Sequence, residues 1–385
     1  MSKRFVLSQP PPQPLTANSL IHLPSPIPAL SKVYRVRESG SETQSYICLD
    51  RNERLQPLPD WFMEALRQAI DSQLLTSYPI QDPLLDLLAA QWQLPKSHLL
   101  LTPGSDGAIK ALYQAYLHPG DGIVMLQPSY AMYPVYTQLF QAQAIQIPFA
   151  PDLSVDPHHL LAAIEPGVRL VMLANPNQPT GTLLEPAVLH QICQQAARVG
   201  ALVAVDEAYY PFSQTTVVPW VQHYPHLVAM RTFSKAAGLA GLRLGAVAAH
   251  PQVVGNLFKV RSAYDVNSLA IVSAFLVLTH PQIVSDYVAE VKAGQEILEQ
   301  GARSLGLVPL PTHTNFRLIR VGHCCTPGDL VAALRDRGYL VKGPFDAPCL
   351  AGCIRVTVGP PDLMAAFITT LQACMAALMN QTIGT

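Results

Sequence analysis

An α/β fold is the class this sequence predicts: a large domain on a mostly parallel central sheet flanked by helices, with a smaller C-terminal α+β domain. Three observations predict it. The chain has 385 residues, more than one compact core accommodates, so two domains are the default. From about residue 84 to 250, short apolar runs alternate with helical stretches, the pattern of strands joined by crossover helices. After residue 280 that alternation gives way to a long amphipathic segment. The expected partition is an arm over 1–45, a large domain over 46–275 and a small domain over 276–385.

Residues 9–28 are dense in proline and poor in bulky groups, which reads as an extended arm. The first strand expected is "HLLLT" (98–102), followed by the helix "SDGAIKALYQAYL" (105–117). Then come the strands "GIVMLQ" (122–127), "RLVMLA" (169–174), "ALVAVD" (201–206), "HLVAMR" (226–231) and "GAVAA" (245–249). Their continuous Val, Leu and Ala content is that of strands buried on both faces. A helix is expected over 186–200. The small domain reads as an amphipathic helix over 281–305, a strand "NFRLIRV" (315–321) and a helix over 327–338. The strands "YLVK" and "CIRVTVG" and a last helix over 361–379 complete it.

Composition removes several function classes. Charged residues make up 13% and the formal net charge is -1, so there is neither the basic footprint of a nucleic-acid binder nor a polybasic membrane patch. The longest apolar run, roughly 269–278, falls short of the ~20 residues of a membrane span. Lys3 and Arg4 lead into no apolar stretch, which argues against a signal peptide. Seven cysteines, with only Cys324 and Cys325 adjacent, form neither a disulfide framework nor a zinc pattern. No metal site and a reduced, cytoplasmic setting are the expectations.

Ligands of open α/β sheets bind at the carboxyl ends of the strands, so the polar residues there are the candidates. "LTPGSDGAIK" follows a strand and opens a helix; Ser105 and Asp106 sit where free N–H groups bind anions, although a carboxylate there equally fits a helix cap. "AVDEAYYPF" closes an apolar strand with Asp206 and Glu207, then Tyr209. A buried acidic pair is costly unless something cationic meets it. "ANPNQPTGT" presents the amides of Asn177 and Gln178 from a proline-fixed turn. "QPSYAMYPVY" puts Tyr130, Tyr133 and Tyr136 at i, i+3, i+6, a spacing that fits core packing or, for one ring, stacking on a flat ligand. "RTFSKAAGLAGLRLGA" holds Lys235 between Ser234 and small residues, with Arg243 eight positions later. A lysine in a dry cleft becomes a nucleophile toward carbonyls, and Ser and Arg are phosphate-binding types. Together these are the parts that pyridoxal phosphate needs.

On these motifs, which run in order from "LDRNE" (49–53) to "CIRVTVG" (353–359), the chain resembles the pyridoxal-phosphate-dependent aminotransferases of fold type I. It is most similar to the histidinol-phosphate aminotransferase branch. The resemblance implies Lys235 as the Schiff-base lysine and proton shuttle, Asp206 at the pyridine nitrogen, Tyr209 at the ring O3′ and Tyr130 stacked on the ring. It implies Ser105, Asp106, Thr232, Ser234 and Arg243 around the phosphate, with Asn177 or Gln178 contacting O3′. Tyr78, in "SYPIQD", matches a tyrosine that reaches the neighbouring subunit's phosphate, implying a homodimer with shared sites. Arg355 matches the arginine that grips the substrate's acidic group, with Asn315, Lys342 and Asn52 on the substrate side. The departures from the family pattern are Gln178 for an asparagine, Arg54 for a small amide, Ser77 for an arginine and Lys342 for a second arginine. The implied activity is transfer of an amino group between an amino acid or amino-phosphate compound and a 2-oxo acid. A second outcome consistent with the altered substrate side is the same coenzyme chemistry diverted to decarboxylation, elimination or cyclisation.

Overall fold

The structure is a computed structural model that describes residues 28–33, 46–322 and 325–383. The expected arm lies outside these residues except for a short 3-10 helix, Pro28–Lys32. Cys324 also lies outside them.

The first strand, β1 (Ile47–Cys48), stands apart from the main sheet. That sheet has seven strands: β2 (Leu99–Thr102), β3 (Gly122–Gln127), β4 (Gln143–Pro148), β5 (Val168–Ala174), β6 (Leu202–Asp206), β7 (Leu227–Thr232) and β8 (Gly245–Ala249), in the order β2-β8-β7-β6-β5-β3-β4. The neighbours from β4 to β7 pair in parallel, and β8 runs against both β7 and β2. Helices cover both faces. Val124, Leu126, Val171, Leu173, Val203 and Val205 pack into one core, while Ile123, Met125, Leu170, Met172 and Ala204 pack into the opposite one. The inner residues of these strands are thus apolar on both faces, with polar side chains only toward the strand ends, which is why they read as unbroken runs. The strand of this sheet absent from the sequence reading, β4, is one of its two edge strands. Its "QAIQIP" mixes polar and apolar residues because most of it stays in contact with solvent.

The smaller layer holds β9 (Val308–Pro309), β10 (Phe316–Arg320), β11 (Tyr339–Leu340) and β12 (Cys353–Thr357), of which β12, β10 and β9 form an antiparallel sheet in that order. Strand β11 pairs in parallel with β1. Leu49 continues this attachment: its N–H donates to Leu340 O at 2.7 Å and its carbonyl accepts from Thr357 N at 2.7 Å. The pairing ties residues 47–49 to the smaller layer, where Leu49 is fully buried.

The last helix, Pro361–Ile383, corrects the expectation about apolar length. Its segment Pro361–Asn380 has a mean hydropathy of 1.5 and is long and apolar enough to cross a membrane. Met364, Phe367, Leu371, Cys374 and Met375 turn one side of it into the smaller layer's core. There it lies on the helix Gln282–Ser304, so close that a Cβ on Gly301 would come within 2.6 Å of Ile368.

Strand β8 leads back past the start of the helix Gly104–Tyr116, and Gly245 makes that approach possible. A Cβ on Gly245 would lie 2.5 Å from Gly104 C, 2.6 Å from Ser105 N and 2.9 Å from Arg231 O, all backbone atoms that cannot turn aside. Gly245→Ala is therefore expected to cost about 1–3 kcal/mol, the usual range for overpacking. Gly241→Ala, with nothing within 4 Å of its Cβ, should stay within about 0.5 kcal/mol of wild type. Equilibrium urea denaturation at constant m-value checks both.

Candidate active site

The carboxyl ends of β2, β3, β5, β6 and β7 open on one edge of the sheet, and β8 begins there. One cleft at this edge is lined by Ser105, Asp106, Tyr130, Gln178, Asp206, Tyr209, Thr232, Ser234, Lys235 and Arg243. The fold thus brings together most of the residues singled out in the sequence.

One end of the cleft is built for an anion. The helix Gly104–Tyr116 starts immediately after β2 with no side chain capping it. Gly104 adopts φ +73°, and a Cβ there would sit 2.8 Å from Arg243 Nη2, so only glycine lets the guanidinium lie over the helix start. Thr232 Oγ1 donates to Ser234 Oγ at 3.0 Å, and Arg243 Nη1 donates to the same oxygen at 3.3 Å. Free helix N–H groups, two hydroxyls and this guanidinium together suit a phosphate. Asp106 is not a helix cap, one of the two alternatives its position allowed. Its Oδ2 accepts from Tyr136 at 2.8 Å, and its Oδ1 is buried without a partner.

At the other end lies the acidic pair. Glu207 is met by the protein itself: Arg231 Nε donates to it at 3.0 Å, Thr216 and the Val217 N–H add hydrogen bonds, and the Arg231 guanidinium lies 3.5 Å over the Tyr210 ring. Asp206, 4% exposed, receives only neutral donors: Tyr133 at 3.3 Å and the Ala208 N–H at 3.1 Å. Burial pushes its carboxyl up to about 7. A buried carboxylate that no cation answers, facing an open cleft, fits a protonated pyridine nitrogen, and with the anion cup it makes pyridoxal phosphate match both ends.

Between the ends, the Tyr209 hydroxyl donates to Gln178 Oε1 at 3.1 Å and accepts from Asn52 Nδ2 at 2.9 Å. Burial pushes this phenol up to about 12, with Arg355 opposing. The two amides differ in their surroundings. Asn177 is buried inside its own turn, bonded to Ser129, Pro128 and Thr180, and Gln178 faces the phenol. Within the tyrosine stripe, Tyr133 and Tyr136 are buried core residues, and Tyr130 alone lines the cleft, edge-on to Tyr133 at 5.6 Å.

Lys235 Nζ stands 5.8 Å from the centre of the Tyr209 ring and donates to Arg51 O at 3.3 Å. Burial, and then the positive charge of Arg355, lower the amine to about 8. Arg355, on β12, is 5% exposed; its Nη2 donates to Asp50 O at 2.6 Å, while its Nε is buried without a partner. Asn315 donates to Asn52 O at 3.2 Å. Lys342 pairs through its main chain with Arg355 and has an exposed side chain. Tyr78 lies outside the cleft, 73% exposed and stacked on Tyr264 at 4.1 Å.

The sequence reading did not anticipate three kinds of contribution. Tyr133 and Tyr136 support the two aspartates, and the i, i+3, i+6 spacing carried that signal. The partner of Glu207, Arg231, lies 24 residues away with no spacing to betray it. The acceptors at Asp50 and Arg51 are backbone carbonyls, which residue identity does not reveal.

Known proteins resemble this chain in sequence and in fold. The family described as aminotransferase class I and II matches residues 44–371. Histidinol-phosphate aminotransferase 2 of Ralstonia nicotianae is 34% identical over 347 residues, covering 88% of this chain and 91% of that protein. Histidinol-phosphate aminotransferase 1 of the same organism is 33% identical over 377 residues, covering 94% and 99%. Among solved structures, the histidinol-phosphate aminotransferase of Sinorhizobium meliloti in complex with pyridoxal-5'-phosphate superposes with a TM-score of 0.83 at 24% identity, covering 94% and 100% of the two chains. The L-threonine-O-3-phosphate decarboxylase of Porphyromonas gingivalis shares the fold with a TM-score of 0.73 at 21% identity, covering 85% and 98%.

The elevated Asp206 sets a pH dependence for coenzyme-free protein. A group held near 7 in the folded state and 3.8 otherwise binds its proton more tightly when folded, so stability falls as pH rises from about 4 to about 7. Asp206→Asn should flatten that slope and leave the coenzyme-free protein more stable than wild type above pH 7, by up to about 4 kcal/mol at roughly 1.4 kcal/mol per pH unit. The same variant should bind pyridoxal phosphate more weakly. Denaturation across pH and a coenzyme titration check the two opposite effects.

Proposed function

The chain belongs to the class I and II aminotransferases and works with pyridoxal 5'-phosphate, and from that premise we propose that it moves an amino group between an amino-phosphate donor, histidinol phosphate foremost, and a 2-oxo acid. The observation that carries the substrate class is Arg355, a buried guanidinium near Tyr209 and Lys235 with an unpartnered Nε. Such a group takes a phosphate or carboxylate through charge-assisted bonds that are strong in a dry cleft. The names of the relatives at 33–34% identity support the phosphorylated donor.

Bound pyridoxal phosphate supplies an electron sink conjugated to the reacting carbon. The residues divide the remaining work. Thr232, Ser234 and Arg243, with the backbone amides of Ser105 and Asp106, hold the phosphate. Asp206 would keep the proton on the ring nitrogen, Tyr130 would cover a ring face, and Tyr209, aligned by Gln178 and Asn52, would bond O3′. Asn177 holds the turn that presents Gln178. Lys235 would anchor the aldehyde carbon and then take up and return the substrate Cα proton; an amine near 8 suits a base working close to neutrality. Asn315 orients Asn52, and Lys342, beside Arg355 on the strand bridge, offers a second cation at the rim.

The protein acts, in this proposal, as a homodimer in the reducing cytoplasm, with the seven-stranded sheet and the smaller layer as separate domains dividing near residue 276. Tyr78, Ile80, Leu75, Tyr264 and Phe258 are each more than half exposed, and Tyr78 stacks on Tyr264; exposed apolar groups gathered in a patch mark interfaces. Tyr78 sits outside its own chain's cleft, in keeping with service to a partner's phosphate. No disulfide joins the cysteines among the described residues.

Presenting histidinol phosphate, other phosphorylated amino alcohols, histidine and neutral and basic amino acids in turn should shift the coenzyme absorbance most rapidly for a phosphorylated donor, with a stoichiometric oxo product. A shift by none of them defeats the proposal; carbon dioxide released without oxo product marks the decarboxylase outcome. Arg355→Lys, which loses the planar fork, should raise KM for that donor about 10- to 100-fold with little change in kcat.

For the shared site, Tyr78→Ala homodimers should bind the coenzyme about 10- to 100-fold more weakly, the loss of one hydrogen bond to a charged group. Dimers mixed from Tyr78→Ala and Lys235→Ala chains should recover one site of native affinity, read by coenzyme titration.

A further inference from the structure

Arg54 follows Asn52 and Glu53 on the segment that borders the cleft, and its side chain is not among the groups lining it. Nη1 donates to Ile283 O at 2.9 Å and to Ala236 O at 3.3 Å; Nε and Nη2 reach the carbonyl and side-chain oxygens of Gln56 at 3.1 and 3.2 Å. The guanidinium carbon lies 4.4 Å from the centre of the Tyr287 ring. Its acceptors are thus carbonyl and amide oxygens, with an aromatic face completing the cage.

The stem is equally constrained. Gly238 has φ +76°, and a Cβ there would come within 2.5 Å of Arg54 Cδ, so the turn after Lys235 and the Arg54 stem share a space open only to glycine. That turn closes through Gly238 N to Lys235 O at 3.0 Å and Leu239 N to Phe233 O at 2.9 Å. Arg54 holds the outer carbonyl of the same turn, at the residue next to Lys235, and ties it to the first turn of the helix Gln282–Ser304. The segment that carries Arg54 also carries Arg51, whose carbonyl receives the Lys235 amine, and Asn52, which aligns Tyr209.

We propose that Arg54 is a positioning residue: it clamps the Lys235 turn against the helix Gln282–Ser304, fixes where the amine stands, and makes no contact with substrate. This rests on Lys235 being the coenzyme lysine. Methionine in place of Arg54 fills the stem but leaves the Ala236 carbonyl without that donor. Lysine restores a donor that reaches one carbonyl without the fork.

Arg54→Met and Arg54→Lys test it. In coenzyme-free protein, hydrogen exchange of the Gly238 and Leu239 amides is expected to be about tenfold faster in Arg54→Met, as local opening becomes easier, with Arg54→Lys in between. In holoenzyme, the midpoint of the coenzyme absorbance against pH should move, and kcat should fall about 10- to 100-fold with KM within about threefold. Unchanged exchange and an unchanged titration overturn the proposal, and so does a raised KM at constant kcat, which would make Arg54 a substrate contact. Should Arg54→Met fail to fold, Arg54→Lys against wild type carries the same comparison. Borohydride reduction of wild-type holoenzyme followed by peptide mapping separates the two layers of inference. A label on Lys235 with unaltered Arg54 variants defeats the clamp alone, and a label elsewhere defeats the assignment of Lys235 on which it rests.

Discussion

Two carboxylates at the end of one buried strand set the terms for the rest of the molecule. Asp206 and Glu207 leave β6 side by side, where a charge out of water must find a partner or lose its ionisation. The fold answers only one. Arg231, held over Tyr210 and bonded to Glu207 and Thr216, closes the first account inside the protein. Asp206 keeps neutral donors and an open cleft in front of it. In the proposed site the unanswered member favours a cationic heterocycle, because its ionised form gains a partner when such a ring lies against it. The anion cup at Gly104, Ser234 and Arg243 then fixes which end of that ring faces which way.

The second constraint is a stitch between layers. Leu49 bonds on one side to Leu340 and on the other to Thr357, so residues 50–54 are carried from the smaller layer across the carboxyl edge of the large sheet. That short span delivers the Asp50 carbonyl to Arg355, the Arg51 carbonyl to Lys235, the Asn52 amide to Tyr209 and the Arg54 guanidinium to Ala236 and Ile283. Lysine, phenol and substrate-side arginine therefore share one backbone reference. Shifting the smaller layer moves all of them together.

The large sheet was legible in the sequence because burial on both faces strips its inner strands of polar residues. Strand β4 escaped because an edge keeps solvent contact, and β1 because two residues carry no period. Residue order likewise pointed to cleft residues past the strand ends, as at Asp206 and Ser105, whereas Thr232 followed only from the family resemblance. What stayed hidden depends on direction rather than identity. Neighbouring amides Asn177 and Gln178 look interchangeable in a string, yet one is consumed by its turn. Arg54 reads as an intruder on the substrate side, yet its charge is spent on main-chain carbonyls. Long-range pairs such as Arg231 with Glu207, and backbone acceptors such as Arg51 O, leave no trace in residue spacing at all.

The charges around Lys235 also give the site an order of events. Its amine is held low chiefly by burial, then by Arg355 and Arg243, with Glu53 and Asp206 pulling the other way. Both arginines are also the groups placed to meet anions: Arg243 at the phosphate cup, Arg355 where an acidic substrate end would lie. Each anion that arrives neutralises one of the cations depressing the amine and makes the lysine more basic. A neutral amine, ready to act as a nucleophile, is thus favoured while the arginines are bare, and proton uptake is favoured once both are engaged. An acid–base residue needs a proton affinity matched to its stage of the reaction. In the proposed site the matching would come from the same two guanidinium groups that meet coenzyme and substrate, which would couple recognition and proton transfer through a single local field.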